Sequence, residues 1–228
     1  MKKLLSVMAF LLMAAVVAFP PAAHATLILS LDDGVALPTI ITDQLPGDTN
    51  PTLGVVSWSG AIGVWDINVS TGFSKPVLGI PGINAAMDLN SIDHSTGAGT
   101  LTIMLTDTDF TIPGAITPAI MGIGGTTDGN VSYSAYFDNT NVPFGVTGVI
   151  GSLGPLVDAP FSFGAGLQND ITTTNPFSLT QVVTINHDAA GLTSFNAKLN
   201  VPVPATALLL GTGLLGLVGL RYRSRRKS

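Results

Sequence analysis

The chain has 228 residues, 46% of them hydrophobic and only 10% charged, with a formal net charge of −5. All fourteen acidic residues are Asp and there is no Cys, which excludes disulfides, thiolate metal sites, a Cys nucleophile and a lipid-modified N-terminal Cys. Between residues 26 and 200 the only bases are Lys75 and Lys198, so this stretch repels a phosphate backbone and excludes nucleic acid as a partner.

The first predicted element is a leader over residues 1–25. Lys2 and Lys3 supply a positive start, and Leu4 to Phe19 an apolar run. Pro20 and Pro21 break the run, and Ala23-His24-Ala25 is a small-x-small cleavage site. This order is that of a secretory signal peptide. It predicts a helix removed after Ala25 and a mature chain starting at Thr26.

Residues 26–200 read as one all-β domain. With 26 Gly, 15 Pro and no Glu, the composition favours strands joined by many turns. Strands are predicted over Leu27–Leu31, Ile40–Asp43, Val55–Ser59, Ile62–Val69, Thr100–Thr106 and Val131–Asp138. Further strands are predicted over Pro143–Ile150, Phe161–Leu167, Phe177–Asn186 and Ser194–Val201. In VSYSAYFD, Val131, Tyr133, Ala135 and Phe137 share one face; in TLTIMLT, Leu101, Ile103 and Leu105 do. Such period-two patterning suits half-buried antiparallel strands. Turn signals fall between, at Asp32-Asp33-Gly34, Leu45-Pro46-Gly47-Asp48, Ile80-Pro81-Gly82, Thr96-Gly97-Ala98-Gly99 and Asp128-Gly129-Asn130. Asn84 to Leu89 reads as one helical turn. The whole predicts an antiparallel β-sandwich or jelly roll.

Candidate chemistry within this domain is sparse. His94 and His187 are its only histidines, and no Gly-x-Ser-x-Gly elbow accompanies them, so no enzyme is expected. Hard cations take carboxylate and carbonyl oxygens. That makes Asp88, Asn90 and Asp93, together with Asp107 and Asp109, the candidate calcium ligands; no other cofactor is expected. Neither cluster matches a calcium-binding EF-hand loop, because Ile92 occupies a ligand position and no Glu closes the loop. Trp58 and Trp65 could stack on a sugar from an open face, or fill the core.

The last element is a second apolar segment, 205–220, followed by a basic tail, 221–228. Sixteen residues make a helix of about 24 Å, short for a bilayer core of about 30 Å. Gly211, Gly213, Gly216 and Gly219 suit a membrane better than water. Arg221, Arg223, Arg225, Arg226 and Lys227 follow at once, as a stop-transfer cap that keeps the C-terminus in the cytoplasm.

Val201-Pro202-Val203-Pro204-Ala205-Thr206, the Leu/Gly-rich helix and the arginine tail together resemble a PEP-CTERM sorting signal, over residues 201–228. The family's usual core is Val-Pro-Glu-Pro-Ala-Thr, and Val203 stands where Glu is usual. TGAGTLTIMLTDTDFT, NPFSLTQVVTINH and TSFNAKLNV are similar to stretches of exported proteins carrying that signal. The resemblance implies a Gram-negative host with exopolysaccharide or biofilm loci. It also implies an exosortase, a membrane-embedded cysteine transpeptidase, as partner. The chain would be held in the inner membrane, cut near the motif, and passed to the cell surface or extracellular matrix. The expected role is structural or interactive, in contact with exopolysaccharide. The alternatives are a carbohydrate- or calcium-binding β-sandwich and, third, an exported hydrolase.

Overall fold

A computed structural model describes residues 26–80, 82–112, 116–157, 160–162 and 167–202. The predicted leader, the apolar segment 205–220, the basic tail and all of the sorting motif beyond Pro202 lie outside the described residues. Among the described residues no helix is long and apolar enough to cross a membrane.

The first six strands are β1 (Ile28–Asp32), β2 (Thr39–Thr42), β3 (Val55–Ile62), β4 (Trp65–Phe73), β5 (Ala85–Ser95) and β6 (Gly99–Phe110). The rest are β7 (Ile116–Thr127), β8 (Asn130–Asp138), β9 (Gly148–Leu156), β10 (Phe161–Ser162), β11 (Leu167–Thr172), β12 (Phe177–His187) and β13 (Gly191–Val201). They form two antiparallel sheets. One has the order β2-β1-β6-β12-β8-β9; the other runs β10-β7-β13-β5-β4-β3, with β11 also paired to β7. From β5 to β8, and again from β12 to β13, the chain alternates between sheets. That crossing closes two layers over one core, as an antiparallel sandwich requires.

Alternation decides which residues fill the core. Leu101, Ile103 and Leu105 on β6, and Val131, Tyr133 and Ala135 on β8, point inward and are buried. Each fully buried large apolar side chain contributes about 1.5–3 kcal/mol. Sheet spacing is set partly by Gly72, where an added Cβ would come within 2.2 Å of Leu105 Cδ1. A polar bridge crosses the middle of the core. Gln181 Nε2 donates to Tyr133 Oη at 2.7 Å, and Tyr133 Oη donates to the Lys198 carbonyl at 3.1 Å. This bridge joins β8 and β12 to β13 of the facing sheet. Burial pushes the Tyr133 phenol far above its ordinary range.

Three local readings differ from expectation. Asn84–Leu89 is not a helical turn: Ala85 onward is strand, paired to both β4 and β13. The predicted strand from Pro143 begins only at Gly148, because residues 138–147 form turns held by Asp138. Strand β7 lay hidden in a Gly/Pro-rich stretch.

Candidate functional site

Both tryptophans belong to the interior. Trp65 starts β4, is 1% exposed, donates from Nε1 to the Thr100 carbonyl at 3.2 Å, and packs 4.9 Å from the His187 ring. Trp58 is partly buried against the core and covers Gly60, where a Cβ would stand 2.8 Å from its ring. No sugar-stacking platform is built from these two residues.

The histidines separate by parity. His94 is exposed on the outer face of β5, opposite Asp66 and Leu192. His187 ends β12 and faces inward. Its Nδ1 is 2.7 Å from Ser95 Oγ and its Nε2 2.8 Å from Thr193 Oγ1. Burial lowers its pKa. Ser95 is fully buried, both ring nitrogens are taken by hydroxyls, and Trp65 covers the ring. A hydroxyl–imidazole pair in this setting is a packing device with no path for a substrate.

The calcium candidates do not converge. Asp88 and Asn90 lie on the outer face of β5, while Asp93 lies on its inner face and is fully buried. Asp107 is buried against Ser74 and Lys75, and Asp109 is bound by Asn141. Among the described residues no group of three or more His, Asp or Glu is close enough to hold a metal ion.

The two outer faces are unlike. On the six-stranded sheet, outward hydroxyls and amides satisfy one another: Ser134 with Ser152 at 2.8 Å and Thr100 with Asn186 at 2.6 Å. On the other sheet, register places Asp88 opposite Lys198 and Asn90 opposite Asn196. Phe73 flanks Asp88, and Thr71 flanks Asn90. On the far side, Gly122 and Gly124 of β7 stand beside Lys198 and Asn196 and add no side chain. Within the quartet Asn196 Nδ2 donates to Asp88 Oδ1 at 3.3 Å. Partial burial raises the Asp88 carboxyl above its ordinary range, against the pull of Lys198 and of the Asn90 and Asn196 amides. The quartet therefore offers donors and acceptors to a ligand, on a rigid four-strand floor spaced at about 4.8 Å. Sequence reasoning named Asp88 and Asn90 for calcium and missed Asn196 and Lys198. The signal was the alternation of NAKLN, with Asn196, Lys198 and Asn200 on one face.

A depression of about 400 Å³ between β2 and β3 is lined by Gln44, Leu45, Asp48, Thr49, Asn50 and Pro51. Asp48 there is already committed to the backbone amides of Gln44, Asn50 and Ser57.

Val201, where the expected sorting motif begins, is the last residue of β13, paired with Ala85. The Pro202 carbonyl accepts from Thr117 Oγ1 at 2.6 Å. Val201 and Pro202 are therefore held within the sandwich.

No protein-family model matches the chain, and no curated protein matches it. Among solved structures, it is similar to the K1 cleaved adhesin domain of Lys-gingipain from Porphyromonas gingivalis W83. That match covers 66% of this chain and 98% of that one, at 12% identity and a TM-score of 0.30. TmCBM61 in complex with β-1,4-galactotriose matches 61% of this chain and 90% of its own, at 7% identity and 0.27. The N-terminal cellulose-binding domain of Cellulomonas fimi β-1,4-glucanase C matches 50% and 84%, at 14% identity and 0.27. Scores at this level transfer no site to this chain.

Proposed function

We propose that the chain is an exported surface module that holds a neutral, hydroxyl-rich polymer on the outer face of its seven-stranded sheet. The observation that carries this reading is the quartet Asp88, Asn90, Asn196 and Lys198, matched in register on the outer face of the sheet. Side-chain amides and a carboxylate each present two bonding atoms in a fork, a geometry suited to adjacent sugar hydroxyls. Phe73 gives apolar surface beside them for the C–H face of a ring. The glycine strip on β7 leaves room for an extended chain to lie across the strands. The acidic balance of the domain turns away polyanions, which leaves neutral polysaccharide as the ligand class.

Address and handling come from the ends. The leader supports export, and the sorting motif supports an exosortase as processing partner, with the apolar segment holding the chain in the inner membrane until it is cut. The module then reaches the cell surface or matrix beside its polymer.

Affinity electrophoresis tests the binding face. The protein should be retarded in gels containing neutral polysaccharide, including that of the producing cell. Asn90→Ala with Asn196→Ala should abolish retardation, whereas Ser134→Ala with Ser152→Ala on the opposite face should leave it unchanged. Equal behaviour of the two double variants, or no retardation of the parent protein, would sink the reading.

A further inference from the structure

We propose that Lys75 and Asp107 condense into an intramolecular amide that ties the two sheets together covalently. The pair stands apart from the binding face. Lys75 follows β4 of one sheet, and Asp107 lies on β6 of the other, 32 residues on. Lys75 Nζ is 2.8 Å from Asp107 Oδ2, with the lysine side chain 12% exposed and the aspartate fully buried. The Phe110 ring covers the amine at 3.7 Å, and Nζ also donates to the Thr108 carbonyl. The amine is therefore fixed against the carboxyl in a dry site, the situation in which effective concentration replaces external activation.

The remaining contacts suit the reaction. The Thr108 backbone N–H donates to Oδ1 at 2.8 Å, where negative charge collects once Nζ has attacked Cγ. Ser74 Oγ donates to Oδ2, the departing oxygen, at 2.5 Å and can relay protons to it. Burial lowers the pKa of Lys75 and raises that of Asp107, so both move toward the neutral amine and neutral acid that react. The balance is simple. From ammonium and carboxylate, the Nζ–Cγ bond forms and the Cγ–Oδ2 bond breaks. Two protons pass from Nζ to Oδ2, water leaves, and the third proton stays on the amide. Nothing is oxidised or reduced, and no co-reactant enters. A chain without cysteine thereby gains the kind of long-range tie that a disulfide would supply.

Mass spectrometry of the full chain decides it. The expected product is one water lighter than the sequence requires, and peptic digestion yields a branched peptide joining the segments around Lys75 and Asp107. Under denaturing conditions an acetylating reagent should modify Lys198 and leave Lys75 untouched. Lys75→Arg should restore the missing water. The proposal is overturned by a full-mass chain with both lysines acetylated. It is equally overturned if the lost water maps to a cyclic imide at Asp33-Gly34 or Asp128-Gly129. The parent protein alone gives these readouts, so a variant that fails to fold leaves the test intact, and loss of polysaccharide binding does not bear on it.

Discussion

Asp107 and Asp93 are both buried in the sandwich, one on each sheet, and they live under opposite conditions. Asp107 is met by the Lys75 ammonium, the Ser74 hydroxyl and the Thr108 amide. Asp93 has one partner, Ser91 Oγ at 2.7 Å from Oδ1, and its Oδ2 has none. Across the register it faces Ile67 of β4 and Thr193 of β13, neither of them charged. Burial raises the pKa of both acids, and that of Asp93 reaches about 7. A carboxylate in a β core is thus either provided with donors from the facing sheet or driven to hold its proton.

The widest separation between the two sites should come from truncation. Asp107→Ala takes away the carboxyl with which Lys75 condenses, and so strands a mostly buried ammonium and two further donors. Removing one partner of such a pair costs about 3–5 kcal/mol. Asp93→Ala at pH 8 removes an unpaired charge and should cost far less. Urea titration of both variants checks this, and equal losses would erase the distinction.

The second effect is a pH dependence that belongs to Asp93. A carboxyl whose folded pKa is raised gives stability that is full below its unfolded pKa, near 3.8, and is lost as pH rises through about 7. The loss across that window amounts to at most ~4 kcal/mol. Asp93→Asn should flatten it and gain stability at pH 8. A parent protein whose stability does not fall between pH 4 and 8 would remove the basis for a neutral Asp93.

These two residues also show what the sequence displays and what it conceals. Period-two alternation of apolar with hydroxyl residues made β6 and β8 legible, because their inner faces run Leu101, Ile103, Leu105 and Val131, Tyr133, Ala135. Strand β5, read as a helical turn at its start, went unrecognised as a strand because its inward positions run Ala85, Met87, Leu89 and then Ser91, Asp93 and Ser95. Half of that inner face is polar, and the alternation inverts where Ile92 points outward. Strand β7 was missed because Pro118, Gly122, Gly124 and Gly125 resemble a loop, and pairing to β13 on one side and to β10 and β11 on the other makes them a strand. The Lys75–Asp107 contact spans sheets and 32 residues, so no local pattern announces it. Its one trace is scarcity: a domain with two bases has buried one of them. The binding quartet is half legible, since Asp88 and Asn90 are close in sequence while Asn196 and Lys198 come from a distant strand.

Serine hydroxyls sharpen the contrast further. In protein whose Lys75–Asp107 pair is still uncondensed, Ser74→Ala removes a donor to a charged group, which is worth about 1.5–3 kcal/mol. That loss should vary less with pH than the loss at Ser91, since Lys75 opposes the burial that raises the Asp107 carboxyl and no charged partner opposes it at Asp93. Chemical denaturation at pH 5 and pH 8 checks it.

Ser91→Ala carries the smallest effect and the most specific signature. Ser91 Oγ meets Asp93 Oδ1 and also contacts Ser70 Oγ at 2.6 Å, so its loss removes hydrogen bonds worth about 0.5–1.5 kcal/mol each when both partners are neutral. At pH 5 Asp93 holds its proton, and the variant should lose only that neutral contribution. At pH 8 the folded protein must keep a buried carboxylate whose single donor is gone, and bonds to charged groups are worth about twice as much. The cost of Ser91→Ala should therefore grow with pH, while that of Ser74→Ala varies less. A Ser91→Ala cost that is constant from pH 5 to pH 8 would mean that Asp93 never ionises in the folded state, placing its true pKa above that range and making its burial more severe than the single hydrogen bond suggests.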